Sequence, residues 1–435
     1  MEKSKAKHIL VKVLGFSFAI APALLIATLI FKYSVNVPFW DDWEVPLFLS
    51  KVFPEFRLTL GDLISQHNES RYAFPRLIFI ALAYMNNGNW DQRYQMWASF
   101  GLTCLVSINI FLLIKWTIGK NSIKIILLTI ICNCLIFAPI QYENWLWGIQ
   151  LIVFMPITCI TTALVVIYSG INKTSKLFLC LLLCTISTYS YANGMLSWII
   201  LLPVLAISES WKWKDIFKQK WLYLGWIAVF TTNIVIYFYD YKKPHTLPSY
   251  SVGLLSPDKA IQFFLSFLGA PLGRGTIPSD AVGSVNNLSD ILNKVNNVNN
   301  TGIIIGAILS ILFIAALFYL WKNRKNSALI YRMVPWLTIG SYTFITGIIT
   351  SLGRVGFGIG ISLSLRYMTF SVYLPLVLVN LLAIIYDDAQ NRGYLIKNRK
   401  VFAKAGMGVL LAAFLYFYII TSNFAIGRTY LVKLD

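Results

Sequence analysis

Stretches of about twenty apolar residues with few or no charges recur along the whole chain, each long enough to cross roughly 30 Å of hydrocarbon as a helix. They run from Ile9 to Phe31, Tyr94 to Ile118, Ile123 to Ile140, Leu146 to Tyr168, Trp221 to Tyr239, Ile303 to Trp321, Val334 to Leu352, Tyr367 to Tyr386 and Gly406 to Ile420. No water-soluble domain is built this way, and the composition agrees: 57% hydrophobic residues, 13% charged and a mean hydropathy of +0.66 over 435 residues. One more apolar stretch, Leu177 to Ile207, is broken at Ser190-Tyr191-Ala192-Asn193-Gly194. Asn-Gly is a turn signal, so this stretch reads as two short spans. The expected fold is all-α, a polytopic membrane protein of about eleven spans.

Charge gives the orientation. With the amino terminus placed in the cytoplasm, the inner segments hold most of the Lys and Arg and few of the acids, so nearly all of the +19 excess falls inside. That accounts for the basic balance better than nucleic-acid binding, which needs one contiguous basic face. A single kinked helix over Leu177 to Ile207 would reverse every later segment, putting Lys212, Lys214, Lys218 and Lys220 outside and Arg354 and Arg366 inside. The first apolar run lacks a small-residue cleavage site before Val37-Pro38 and is read as a retained helix. Cys104, Cys132, Cys134, Cys159, Cys180 and Cys184 all fall within apolar runs and read as inert thiols.

Two outer segments are too long to be simple connectors. In the first, residues 32–93, Val45 to Phe53 and Phe56 to Ile64 have the spacing of short amphipathic helices, and Phe74-Pro75 opens a third apolar run to Met85 that is too short to span. In the second, residues 240–301, Ala260 to Leu268 reads as a short helix closed by Gly269-Ala270-Pro271. Asp280 to Asn300 reads as a mobile flap or a disordered loop.

The first outer segment opens with Trp40-Asp41-Asp42-Trp43-Glu44 just beyond a membrane helix. Two carboxylates framed by tryptophans at a membrane surface suggest acid–base chemistry more than anchoring. Farther on, Gln66-His67-Asn68-Glu69-Ser70-Arg71 forms a polar cluster; on a helix, His67 and Arg71 would share a face. Glu143 and Asn144, with Trp145 and Trp147, stand at the outer end of the third run, where tryptophan serves belt anchoring or stacks on sugars. Arg354 and Arg366 bracket a Gly-rich outer loop, Val355 to Leu365, and their planar forks suit phosphate oxygens. Gly356-Phe357-Gly358-Ile359-Gly360 follows no strand and is not read as a nucleotide loop. No His, Cys, Asp or Glu spacing calls for a metal, and no cofactor is expected.

These motifs, with Phe74-Pro75-Arg76-Leu77, Tyr191-Ala192-Asn193-Gly194 and Arg366-Tyr367, resemble those of bacterial integral-membrane sugar transferases of the GT-C class. In size and layout the chain is similar to the serotype-converting O-antigen glucosyltransferases. The resemblance implies one GT-C-like membrane domain over residues 1–435 in a bacterial inner membrane, with its active site facing the periplasm. It implies transfer of a sugar, most plausibly glucose, from undecaprenyl phosphate to a polysaccharide such as O-antigen. A donor synthase and a small flippase are then its functional neighbours. By the same resemblance Asp41 matches the catalytic base, with Asp42 orienting the acceptor or holding Asp41. Glu69 would orient Arg71 or bind sugar hydroxyls; Arg71, Arg354 and Arg366 would meet the donor phosphate. Trp40, Trp43, His67, Asn68, Glu143, Asn144, Trp145 and Tyr367 would line the sugar and acceptor sites. The alternatives are an O-antigen or capsule polymerase, which would depend on arginines more than on this acidic pair, and a lipid-linked sugar flippase or transporter. A transporter is expected to hold ionisable groups near the bilayer midplane, whereas here nearly all fall at span ends.

Overall fold

The computed structural model describes residues 2–274, 288–394 and 397–429 of the chain. Backbone amides in hydrocarbon must bond within their own segment, and the chain responds with helix almost throughout. Among the described residues, nine helices are long and apolar enough to cross a membrane: Leu14–Tyr33, Gln92–Ile118, Ser122–Trp145, Gly148–Tyr168, Lys220–Phe238, Asn300–Lys322, Ser327–Phe357, Leu365–Asn391 and Lys404–Thr429. They coincide with the nine long apolar runs of the sequence. The protein is an all-α, multi-pass membrane protein.

The interrupted stretch is two helices, Lys173–Thr188 and Leu196–Ile207, joined through a 3₁₀ turn at Ala192–Met195. A Cβ on Gly194 would overlap the Ser187 carbonyl oxygen, so the backbone can fold back this tightly only at glycine. Short connectors start their helices with asparagine caps: the side chains of Asn121, Asn172 and Asn326 accept from the amides of Lys124, Ser175 and Leu329.

Three sequence expectations need correction. The helix expected to close at Gly269-Ala270-Pro271 runs on, as Pro257–Gly273. Its glycine is a packing device, because a Cβ on Gly269 would collide with the Gly302 carbonyl of the next helix. The flap expected from Asp280 to Asn300 lies outside the described residues up to 287. From Leu288 the chain is already helix, Leu288–Lys322, since Leu288, Ile291, Leu292, Val295 and Val298 keep helical spacing beneath the Asn-rich composition. In the first outer segment, the helix expected over Phe56 to Ile64 is only Leu60–Ile64. A capping box sets its start: Thr59 Oγ1 accepts from the Asp62 amide at 3.1 Å and Asp62 Oδ2 accepts from the Thr59 amide at 3.0 Å.

The contacts group into two units. One comprises Met1–Pro22, Leu113–Tyr142 and Pro248–Tyr430; the other comprises Ala23–Leu112 and Glu143–Leu247. The second carries the first outer segment and a core in which Trp145, Trp198 and Trp226 are fully buried. Polar bonds tie its helices: Trp198 Nε1 donates to Thr188 Oγ1 at 2.8 Å, and Asn109 Nδ2 donates to Thr162 Oγ1 at 2.9 Å. The first unit has such bonds too, Trp336 Nε1 donating to Thr117 Oγ1 at 3.1 Å, and adds carboxylates. Asp387 takes Lys124 at 2.7 Å and Arg332 at 2.9 Å, while Asp388 takes Arg392 at 2.9 Å and the Tyr319 hydroxyl at 2.7 Å.

Candidate active site

The acidic pair occupies a single 3₁₀ turn, Trp40–Trp43. With three residues per turn, consecutive side chains diverge by about 120°, so two adjacent aspartates cannot face the same way. Asp42 turns inward and is fully buried, while the side chain of Asp41 remains 45% exposed.

Asp42 acts as a clasp. Its Oδ2 accepts from the Phe39 amide at 3.2 Å, closing its own turn, and its Oδ1 accepts from the Ile149 amide at 2.9 Å. Trp147 reinforces the join: its Nε1 donates to the Phe39 carbonyl at 3.1 Å, and its ring meets the Phe39 ring edge-on at 5.3 Å. Burial pushes the Asp42 carboxyl up to about 7; the amide bonds from Ile149 and Phe39 oppose the rise, and the charge of Asp41 adds to it. Trp40 pays a conformational price for this geometry, with φ at 45°.

Opposite the turn stands a hairpin, so the shared helical face considered for His67 and Arg71 does not form. Strands β1 (Gln66–His67) and β2 (Ser70–Arg71) pair antiparallel, with Gln66 opposite Arg71 and His67 opposite Ser70. Asn68 makes the reversal possible with φ at 49°. Cross-strand partners share a face and successive residues alternate, so Arg71 lies on the Gln66 face and His67 on the opposite one. His67 turns toward the acids: Nε2 lies 3.8 Å from Asp41 Oδ2 and Nδ1 lies 3.9 Å from Glu44 Oε2. The Asn68 side-chain amide is 3.1 Å from His67 Nε2.

Arg71 goes the other way. Its guanidinium is buried and donates to the carbonyls of Tyr237 at 2.6 Å, Tyr239 at 2.6 Å and Ile64 at 2.8 Å. It therefore caps the end of helix Lys220–Phe238 and fixes the hairpin to it, a placement that competes with the expected phosphate contact. Gln66 shares that face, exchanging hydrogen bonds with the Lys242 backbone at 2.6 and 3.0 Å. Arg76 repeats the device one helix on, with Nη1 donating to the carbonyls of Asp62, Leu63 and Ser65 at 3.0, 3.0 and 2.8 Å.

The backbone carbonyl of Glu69 accepts from the Tyr237 hydroxyl at 2.8 Å, which seats the hairpin tip. Tyr72 lies buried behind it. Burial holds its hydroxyl well above the usual phenol range, and the neighbouring Tyr191, Glu69 and Asp41 push the same way. Asp41, Glu44, His67, Asn68 and Glu69 thus gather around one corner of this unit.

Other expected site residues belong to other elements. Trp145 is buried, its ring stacked on Phe154 at 4.8 Å, and Asn144 is buried beside it; packing, not the belt or sugar stacking expected of Trp145, is the role of this ring. Trp147 too is buried and serves the clasp. Glu143 is partly buried in the helical turn Tyr142–Trp145. Arg354, Arg366 and Tyr367 belong to the other unit, where Arg354 ends helix Ser327–Arg354 and Arg366 sits in a 3₁₀ turn with Nε donating to Ser364 Oγ at 3.2 Å. Tyr367 is buried with its ring 5.9 Å from that of Phe267. Among the described residues no group of three or more His, Cys, Asp or Glu side chains is arranged to hold a metal ion.

Sequence reasoning did not single out Glu44, Tyr72, Arg76 or the Ile149 amide. Glu44 lay in plain view three residues after Asp41; a backbone amide more than a hundred positions away leaves no signal. No family model, no curated protein and no solved structure matches this chain.

Proposed function

We propose that this protein is a GT-C-type glycosyltransferase of a bacterial inner membrane, with about eleven spans and its active corner in the periplasm. It moves a sugar, most plausibly glucose, from undecaprenyl phosphate to a surface polysaccharide such as O-antigen. The observation that carries the reading is the split of the acidic pair: Asp42 is spent on holding the turn, and Asp41 is presented half-exposed beside His67 where the chain leaves its first span.

In this reading Asp41 takes the proton of the acceptor hydroxyl as its oxygen attacks the anomeric carbon. The bond from that carbon to the phosphate oxygen breaks with inversion, and the electron pair leaves with the polyprenyl phosphate. Glu69 and His67 are assigned to hydroxyls of the sugars.

The test is transfer by purified protein from a short-chain polyprenyl-phosphate glucose to isolated polysaccharide, read by mass. A mass increment of one hexose that disappears when the donor is replaced by nucleotide-linked glucose supports the reading. Absence of transfer from any polyprenyl-phosphate sugar, by a protein that instead lengthens or translocates lipid-linked glycan, would replace it with the polymerase or flippase alternative.

A further inference from the structure

Two helices of the unit that carries the hairpin start at its other end and finish beside the hairpin. Lys220–Phe238 ends under Arg71, which takes the carbonyls of Tyr237 and Tyr239; Lys173–Thr188 ends at Tyr189, whose carbonyl accepts from the Phe74 amide at 3.3 Å. The 19 residues of the first helix put Lys220 about 28 Å from the hairpin, roughly one hydrocarbon thickness. At that far end Lys173 Nζ donates to Gln219 Oε1, which staples the two helix starts together. Residues 173–176 and 209–220 bring six lysines there, Lys173, Lys176, Lys212, Lys214, Lys218 and Lys220, against two carboxylates, Glu209 and Asp215. Asp215 is already taken by Lys218 at 2.8 Å and by the Ser210 hydroxyl.

This charge runs against the helices that bear it. A helix N-terminus is partially positive and favours acids in its first turn, yet Lys173, Lys176 and Lys220 occupy first turns. Lys176 is the extreme case. It lies on the face of Cys180 and Cys184 and is only 8% exposed, whereas a snorkelling lysine leaves its amine in water. Among the described residues neither a carboxylate nor a hydrogen-bond acceptor meets its Nζ. In the other unit Lys124 and Arg332 share Asp387. A buried cation that lacks such a partner calls for an anion from outside the chain. The bias of lysines toward the cytoplasmic side accounts for solvated lysines, but not for this one.

The same end also offers apolar surface. Phe217 and Trp221, which flank Lys218 and Lys220 in the chain, are 86% and 83% exposed. Lysines alone would suit a free phosphate; with exposed aromatic rings they suit a phosphate that carries acyl chains. We propose that this end of the unit binds an anionic phospholipid, with the headgroup phosphate drawn to Lys173, Lys176 and Lys220 and the acyl region meeting Phe217 and Trp221. None of these residues takes part in the transferase reading, so the two stand or fall separately.

The experiment is native mass spectrometry of the full chain in detergent, after exposure to equal amounts of phosphatidylglycerol and phosphatidylcholine with the same acyl chains. Both probes hold a phosphodiester, and only the first has net charge. The wild type should retain phosphatidylglycerol over phosphatidylcholine by about fivefold or more, the fold-change that one lysine's attraction to an anionic lipid supplies. Lys176→Gln should lose most of that preference and Lys176→Arg should keep it. Lys325→Gln, at an exposed lysine of the other unit, should match the wild type. The double variant Lys173→Gln with Lys220→Gln, at two exposed positions, should also lose preference and replaces Lys176→Gln should that protein not fold. Unchanged preference in Lys176→Gln, or in the double variant standing in for it, overturns the site. Equal loss in Lys325→Gln would reduce it to overall charge and overturn it too. So would release of phosphatidylglycerol by inorganic phosphate, which would mark a site for soluble anions.

Discussion

The chain contains two adjacent aspartate pairs, and the fold uses them in opposite ways. Asp387 and Asp388 end a membrane helix with cations already in place: Lys124 and Arg332 on the first, Arg392 and a tyrosine hydroxyl on the second. Asp41 and Asp42 share a tight turn in which Asp42 is satisfied by backbone amides and Asp41 is left half-exposed near a histidine. A carboxylate held between two built-in cations ties helices together. Asp41, whose neighbour carries the structural duty, is the acid we propose as the base. Identical dipeptides are thus a staple at one site and a presented acid at the other.

The largest stability effect should come from the staple. Asp387→Ala leaves Lys124 and Arg332 close together without their carboxylate, and breaking a partly buried ion pair of this kind costs about 3–5 kcal/mol when fully desolvated and less here, where both cations keep some solvent. The thermal midpoint in detergent should fall by several degrees while transfer per folded molecule stays within twofold. A drop in transfer equal to that of an Asp41 variant would erase the distinction between the pairs.

Next comes the pH dependence of the clasp. The Asp42 carboxyl is raised from 3.8 to about 7, so the folded state binds its proton more tightly than the unfolded chain. The associated stability is fully present below the unfolded value and is lost as pH rises through about 7, amounting to about 4 kcal/mol at most. Asp42→Asn cannot ionise, and its amide keeps one acceptor for the Phe39 and Ile149 amides. The wild-type midpoint should therefore decline from pH 5 to pH 8.5, whereas the Asp42→Asn midpoint should stay level. Parallel curves would mean that burial does not raise the Asp42 carboxyl as described.

A smaller effect is expected at Arg71. Lysine retains the charge but cannot span the carbonyls of Tyr237, Tyr239 and Ile64, so Arg71→Lys should cost about 2 kcal/mol through lost hydrogen bonds. Acceptor KM should rise with the loosened hairpin, and donor KM should hold. A selective loss of donor affinity would return Arg71 to the phosphate.

The membrane-crossing helices were legible because each satisfies its own backbone locally, so length and hydropathy determine it. The break near Asn193-Gly194 was legible for the same reason. The hairpin was not: two-residue strands carry almost no periodicity, and a spacing of four between His67 and Arg71 favours a helix until tertiary bonds to the Tyr237–Lys242 segment decide otherwise. Asn-rich composition likewise hid the helical apolar spacing that begins at Leu288. The acidic pair suggested a site but could not say which acid is buried. That depends on the Ile149 amide, a partner brought in by folding alone.

The most direct test of the division of labour is single-turnover transfer by Asp41→Asn, set beside its thermal midpoint. An amide keeps the size of the side chain but cannot accept the acceptor's proton, so the rate should fall by about 10² to 10⁴ with the midpoint unchanged. Near-normal transfer by a stable Asp41→Asn protein would contradict the account, because the presented acid would then do no chemistry.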